Sequence, residues 1–378
     1  MKKGLTKKKR ILEGFKTNGS ETGIITENAN IGNSEGNSRR DAIKLIAVSA
    51  ASLAVPSWVS AAESREPTLH VYPDYRWLRG LGIVPSWGVR IEDAWWFYDG
   101  SLMREEVSLA KQIHANCIRL WIEYTAWIRD PEKVTANFMD AVAAIAENGM
   151  KVMPCLFNRW HDRMFDYGGT YAENIRPEWV QPLEYVKALV TPLANDERIL
   201  MWDLCNEPGA RDAKNEEFAW LSTVADTVRG CGVKQPITIG TMTGINITTY
   251  APLVDVVCGH PYKHTRAELE ILISEFKEVQ KQTGKPFIVN ETIPGALDDL
   301  VRADVVRYYT ELLSGAGFGW MGWVIREGKA ISTRRDRYDR NGINNQGFHP
   351  FFTKDGKLRA GLEFLTEKPL IPAPWDRK

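Results

Sequence analysis

Eight short apolar runs recur along this sequence, separated by stretches with the three-to-four-residue spacing of amphipathic helices. The runs fall at 81–84, 117–122, 151–157, 200–205, 236–240, 254–258, 286–289 and 319–324. Helical patterns occupy 102–114, 134–148, 183–193, 217–229, 266–283 and 304–313. Gly149, Gly232, Gly284 and Gly317 stand where a helix should stop before the next strand. Apolar strands alternating with helices mean parallel βαβ units. Eight such units predict an α/β fold, a (β/α)8 (TIM) barrel, in one domain over residues 63–378. The competing architecture is an open doubly wound sheet, which normally carries a glycine-rich phosphate loop after its first strand. Here Gly80-Leu81-Gly82 lacks the third glycine, and the glycines at 315, 317 and 319 precede a strand instead of following one.

Composition narrows the class of function. The 378 residues are 44% hydrophobic and 25% charged, which fits a globular protein. Lys plus Arg equals Asp plus Glu at 48 each, but the balance is uneven. Residues 1–62 hold ten basic and five acidic side chains, leaving 38 against 43 in the rest. A mildly acidic body disfavours nucleic acid and anionic membranes as partners. Fourteen Trp residues suggest an aromatic core or stacking surfaces for flat ligands. The five Cys show no CxxC pair. Four of them, Cys117, Cys155, Cys205 and Cys258, lie in strand-like runs and read as small core residues.

Residues 1–37 are Lys-rich and then Asn/Gly/Ser/Glu-rich without apolar period, which predicts a disordered leader. Ser38-Arg39-Arg40-Asp41-Ala42-Ile43-Lys44 follows, then an apolar run at 45–55 and small residues at 59–62. A basic region, a short apolar region and a small-residue cleavage site make an export signal over 38–62. The paired Arg resembles the twin-arginine type, so periplasmic or extracellular placement is expected. Eleven apolar residues are short for a membrane span, and no Cys near the cleavage site offers a lipid anchor.

In a barrel of this kind the chemistry sits where the strands end. The fourth run ends Asn206-Glu207-Pro208 and the seventh ends Asn290-Glu291-Thr292. A third Asn-Glu pair, Asn215-Glu216, lies in a charged helix start, so the dipeptide gains meaning only from its position. Two carboxylates at two strand mouths suit retaining glycoside hydrolysis, in which one protonates the leaving oxygen and the other attacks the anomeric carbon. Arg119 lies in the second run, His260-Pro261-Tyr262 ends the sixth, and Trp323 lies in the eighth. An Arg and a Tyr beside a carboxylate keep it ionised and aimed. Trp323 offers a flat face to a sugar ring. The same residues also admit plainer roles: Arg119 in a structural ion pair, Trp323 in the core, His260 as a satisfied buried histidine.

These strand ends resemble the clan of (β/α)8 retaining β-glycosidases, and most of all glycoside hydrolase family 5, over roughly residues 77–330. The resemblance implies that Glu207 is the acid/base and Glu291 the nucleophile. It implies that Asn206 binds the sugar 2-hydroxyl, that Arg119, His260 and Tyr262 surround the carboxylates, and that Trp323 stacks under the sugar. At the third strand end, where the family often has His, either Asn158 or His161 fills the slot. Asn290 precedes the nucleophile where Gly or Thr is more usual.

Aromatic residues cluster where the βα loops should lie, among them Trp87, Trp95, Trp96, Phe97, Tyr98, Trp121, Trp127, Trp160, Tyr167 and Tyr171. Trp121 and Trp160 are expected at the sugar; about half of the whole group would simply pack. Long loops after the third and eighth strands carry mixed Arg and Asp, which could meet an acidic sugar or form a solvated ion-pair network. No metal-ligand spacing appears, and no cofactor is expected. The expected partner is a β-linked polysaccharide or oligosaccharide, with no obligate protein partner. Two rival readings are a carbohydrate-binding barrel without turnover and a metal-dependent hydrolase on the same fold.

Overall fold

A computed structural model describes residues 70–158, 181–209, 214–242, 244–330, 333 and 347–376. All of these belong to the unit Glu63–Lys378. The leader and the export signal expected at 38–62 lie outside the described residues.

Eight strands run β1 Arg79–Ile83, β2 Cys117–Trp121, β3 Lys151–Cys155, β4 Trp202–Asn206, β5 Ile237–Thr241, β6 Val257–Gly259, β7 Phe287–Thr292 and β8 Gly319–Gly322. They pair in parallel in chain order, and β8 closes on β1 through Arg79↔Trp320, Gly80↔Met321 and Leu81↔Gly322. The expected closed barrel is therefore present. Its strands read as unbroken apolar runs because a parallel strand is covered on both faces; all five residues of β2 are buried.

The helices are α1 Ile91–Trp96, α2 Gly100–Lys111, α3 Tyr124–Trp127, α4 Pro131–Ala146, α5 Gln181–Val190, α6 Lys214–Gly230, α7 Gly244–Tyr250, α8 Arg266–Thr283 and α9 Asp299–Ala316. Their ends follow local chemistry. The Asp99 side chain accepts from the amides of Ser101 and Leu102 to start α2. Thr265 and Glu268 form a reciprocal capping box on α8, whose span matches its sequence pattern residue for residue. Gly284 and Gly317 stop α8 and α9 in left-handed conformations at φ 65° and 83°, which a side chain would strain. Three helices escaped the periodicity: α1, α3 and α7 are too short to show one. The sixth strand begins later than its apolar run. Val254 ends a 3-10 turn, Ala251–Leu253, and the Asp255 carboxylate is used to accept the Ile237 amide at 2.9 Å.

The interior is layered along the barrel axis. Tyr75, Trp77, Cys117, Met153, Cys258, Ile288 and Met321 belong to one buried apolar cluster. Toward the carboxyl ends of the strands the buried set turns polar, with Arg119, Asp203, Asn206 and Asn290 all 2% exposed or less. No helix among the described residues is long and apolar enough to cross a membrane.

Candidate active site

The two carboxylate strands both lose regular register where they end. β4 shifts against β5 between Asp203 and Asn206, and β7 shifts against β8 between Val289 and Thr292. Such irregularities re-aim side chains. Glu207, the residue after β4, takes φ 49°, a left-handed conformation uncommon for a side-chain-bearing residue. Its amide is held by the Gly240 carbonyl at 2.7 Å. One carboxylate oxygen of Glu207, one of Glu291 and a His260 ring nitrogen all lie within 4.8 Å of one another.

Glu291 receives one donor on each oxygen. Arg119 Nη1 donates to Oε2 at 2.6 Å, and the Tyr262 hydroxyl donates to Oε1 at 3.0 Å. Arg119 is fully buried and also donates from Nε and Nη2 to Asp203 Oδ2 at 2.9 and 2.7 Å, and from Nη2 to Asn206 Oδ1 at 2.8 Å. Burial opposes its charge, but Asp203 and Glu291 outweigh burial and hold the guanidinium well above its ordinary range. Burial, then the charges of Glu291 and Glu207, keep the Tyr262 hydroxyl neutral and hence a donor.

His260 bridges the other carboxylate to the barrel interior. Nδ1 lies 3.0 Å from Glu207 Oε1, and Nε2 lies 2.6 Å from Asn290 Oδ1. The Asn290 amide nitrogen donates to Asp203 Oδ2 at 3.0 Å, so its oxygen faces the imidazole. Asn290 Oδ1 requires an N–H on Nε2, and the proton between Nδ1 and Glu207 is shared by that pair. Burial works against a charged ring. Contacts with Cys258 and Glu207 and the nearby Glu291 carboxylate prevail, and the imidazolium is pushed up to about 10. Glu207, His260 and Glu291 are also the set that could hold a cation. The Arg119 guanidinium already supplies positive charge to Glu291 there, at 2.6 Å.

Most of the residues expected from the strand ends thus share one polar network. Asn206 Nδ2 donates to Asn158 Oδ1 at 3.2 Å, so Asn158 takes the third strand end among the described residues. Trp160 and His161 lie outside the described residues, as do Tyr167, Tyr171 and the mixed Arg/Asp segments of both long loops. Trp121 and Trp323 are neighbours with ring centroids 4.9 Å apart, and Arg119 sits over the Trp121 ring at 5.2 Å. Each is 6% exposed, so each offers an edge and not an open platform. Trp95 and Trp127 pack in the core against Phe138 and Tyr185. Two members of the network were not foreseen. Asp203 interrupts an apolar run just as Arg119 does, and opposite charges on two buried strands of one barrel must pair. Asn290 was visible only as an unusual neighbour of Glu291.

A family model described as cellulase (glycosyl hydrolase family 5) matches residues 88–329. The chain belongs to glycoside hydrolase family 5. The match spans every strand from β2 to β8 and includes both carboxylates, and this family 5 chain is a glycoside hydrolase. A search of curated proteins gave no match. Similar solved structures include the exo-β-1,4-mannosidase Op5Man5 from Opitutaceae bacterium strain TAV5, with TM-score 0.60 and 15% identity. That similarity covers 76% of this chain and 58% of the other, so this chain spans little over half of that protein's length. The endo-1,4-β-D-mannanase from Thermotoga petrophila RKU-1 has TM-score 0.56 and 15% identity over 77% of this chain and 98% of its own. GH5_18 from Streptomyces cattleya has TM-score 0.62 and 14% identity over 79% and 82%. At such identities the likeness speaks to the barrel alone.

Proposed function

We propose that this family 5 protein is a retaining β-glycosidase that cleaves a β-linked polysaccharide or oligosaccharide by double displacement. The observation that carries the reading is the approach of Glu207 and Glu291 to within 4.8 Å through one oxygen each. Retaining enzymes hold their carboxyl groups about 5–5.5 Å apart and inverting ones about 6.5–9.5 Å, and an approach this close between single oxygens supports the shorter arrangement. Glu291 is the nucleophile: Arg119 and Tyr262 each donate to it, which fixes its direction and sets a positive charge beside it. It attacks the anomeric carbon while Glu207 gives a proton to the leaving oxygen. In the second half Glu207 takes a proton from water, and that water displaces Glu291.

The proton Glu207 delivers is held by the Glu207–His260 pair. His260 keeps its proton up to about pH 10, against an ordinary 6.5. The sign follows: the pair is loaded below the raised value and unloads as pH rises through it. The alkaline limb of kcat/KM is therefore expected near pH 10, and His260→Ala should move it down toward the range of a lone carboxylic acid. An unmoved alkaline limb in the variant would show that His260 does not govern the proton.

The substrate is best sought by reducing-sugar release from β-glycans and aryl β-glycosides, with Glu291→Gln as control. β-Mannosides head that panel because several similar structures bear mannosidase or mannanase names. Cleavage that persists in Glu291→Gln, or stops with a chelator, would favour a different hydrolase. Tight glycan binding with no cleavage by the wild type would favour the binding barrel.

Residues 38–62 support a second part of the reading, export by the twin-arginine route. A reporter fused behind residues 1–62 should reach the periplasm, and Arg39→Lys with Arg40→Lys should strand it inside. Export that is indifferent to both changes would point to general secretion.

A further inference from the structure

The chain after β8 returns to the site at 347–352. Phe348 pairs with Ala296 in both directions, with N–O distances of 2.9 and 3.1 Å. Gly347 makes this possible, since at φ 87° an added Cβ would stand 2.0 Å from the Ala296 carbonyl oxygen. Phe351 donates to the Val324 carbonyl at 3.0 Å. The segment is thus pinned to the chain leaving both β7 and β8. Between these anchors lies His349.

Two features set His349 apart. The first is its place. Its ring meets that of Tyr262 edge to face, with centroids 6.4 Å apart, and the Tyr262 hydroxyl is the donor to Glu291. Its carbonyl accepts from Arg302, a fully buried residue of α9. The same guanidinium holds the carbonyls of Ile293 and Pro294, just past Glu291, at 3.2 and 2.6 Å and that of Trp323 at 3.2 Å. One cation therefore fixes His349 relative to the nucleophile strand and to Trp323. The second feature is an unused polar group. His349 is 9% exposed, and Nδ1 is enclosed without a hydrogen-bond partner. Nε2 makes no hydrogen bond among the described residues and is not enclosed, so it is the ring nitrogen left able to take a ligand partner. Burial, then the charge of Arg302, outweigh a backbone contact with Ile293 and depress the imidazole to about 3, so it is neutral at any working pH. A neutral imidazole offers one donor and one acceptor and keeps that capacity across the pH range of the reaction.

We propose that His349 is a specificity residue, and that its Nε2 hydrogen-bonds a hydroxyl of the sugar bound beside Tyr262. A ring nitrogen without a protein partner, held beside the donor to Glu291 and shut off from water once a sugar is bound, makes a ligand hydroxyl at that point favourable and its absence costly. This inference rests on the glycosidase reading of the site above.

The test pairs a change in the protein with a change in the sugar. The probes are the 2,4-dinitrophenyl β-glycosides of glucose, mannose and galactose, and the 3-, 4- and 6-deoxy analogues of whichever is cleaved fastest. On the parent glycoside His349→Ala should lose about tenfold in kcat/KM, the size of one hydrogen bond to an uncharged group. One deoxy analogue should be cleaved equally by wild type and variant, and the others should show the full loss. His349→Asn should recover part of the loss, and His349→Phe, which keeps the ring volume, should not. Equal losses on every analogue would overturn the proposal by making His349 a packing residue, as would no loss at all. Failure of the wild type on every parent glycoside would overturn the glycosidase reading first, and this inference with it.

Discussion

Glu291→Ala is expected to lower kcat by at least about 10^4-fold, the scale on which removal of an attacking group acts. Glu207→Ala should cost about 10^2–10^4-fold on a sugar leaving group, the usual contribution of a positioned proton donor. With an activated aryl leaving group that needs no proton, the Glu207 variant should form its glycosyl-enzyme and then stall. Azide separates the two roles. In the Glu291 variant azide occupies the vacated face, displaces the leaving group once and yields an α-glycosyl azide. In the Glu207 variant azide attacks the glycosyl-enzyme, a second inversion, and yields a β-glycosyl azide. Product analysis by NMR reads the difference directly. Exchange of the two products between the variants would mean that the roles of Glu207 and Glu291 are reversed.

Arg119→Leu should be the most destabilising single change in the site. Arg119 and the Asp203 carboxylate are both fully buried, with the ion pair at 2.7 Å. Removing the guanidinium strands Asp203 without a counter-charge and frees Asn206 and Glu291 from their shared donor. Breaking a buried pair from one side costs about 3–5 kcal/mol, because the remaining charge stays desolvated. At about 2–4 °C per kcal/mol the melting temperature should fall by roughly 10 °C. The second half of the prediction tests the cause. Arg119→Leu combined with Asp203→Leu should recover much of the stability, since neither charge is then left alone, while activity stays lost because Glu291 keeps only the Tyr262 hydroxyl and lacks its charged donor. Additive losses in the double variant, measured by thermal melting, would mean that Arg119 stabilises through packing and not through the pair.

The barrel was legible because its signal is redundant. Eight apolar runs, helices at ordinary spacing and helix-stopping glycines all point to one architecture, so displacement of the sixth strand by three residues changes nothing. Short helices such as α3 and α7 carry too few turns to show a period. The carboxylates were legible for a different reason: Glu207 directly follows a buried strand, Glu291 stands among the last residues of another, and a barrel brings its strand ends together. What the sequence could not display was the wiring between strands. That Asn290 turns its oxygen to His260 and its nitrogen to Asp203 depends on register shifts in β4 and β7 that leave no local mark. His349 lay beyond reach as well, since it is delivered by a long connection after β8 whose path depends on what it docks against.

The central claim is that cleavage passes through a covalent sugar ester on Glu291. A 2-deoxy-2-fluoro β-glycoside with a dinitrophenyl leaving group tests it, because the fluorine slows both formation and release of the ester while the activated leaving group speeds formation alone, so the ester accumulates. Mass spectrometry of the treated protein should show one fluoroglycosyl group per chain, and peptide mapping should place it on Glu291. An adduct on another carboxylate would contradict the assignment. No adduct, together with release of the α-anomer from an ordinary β-glycoside, would contradict double displacement itself.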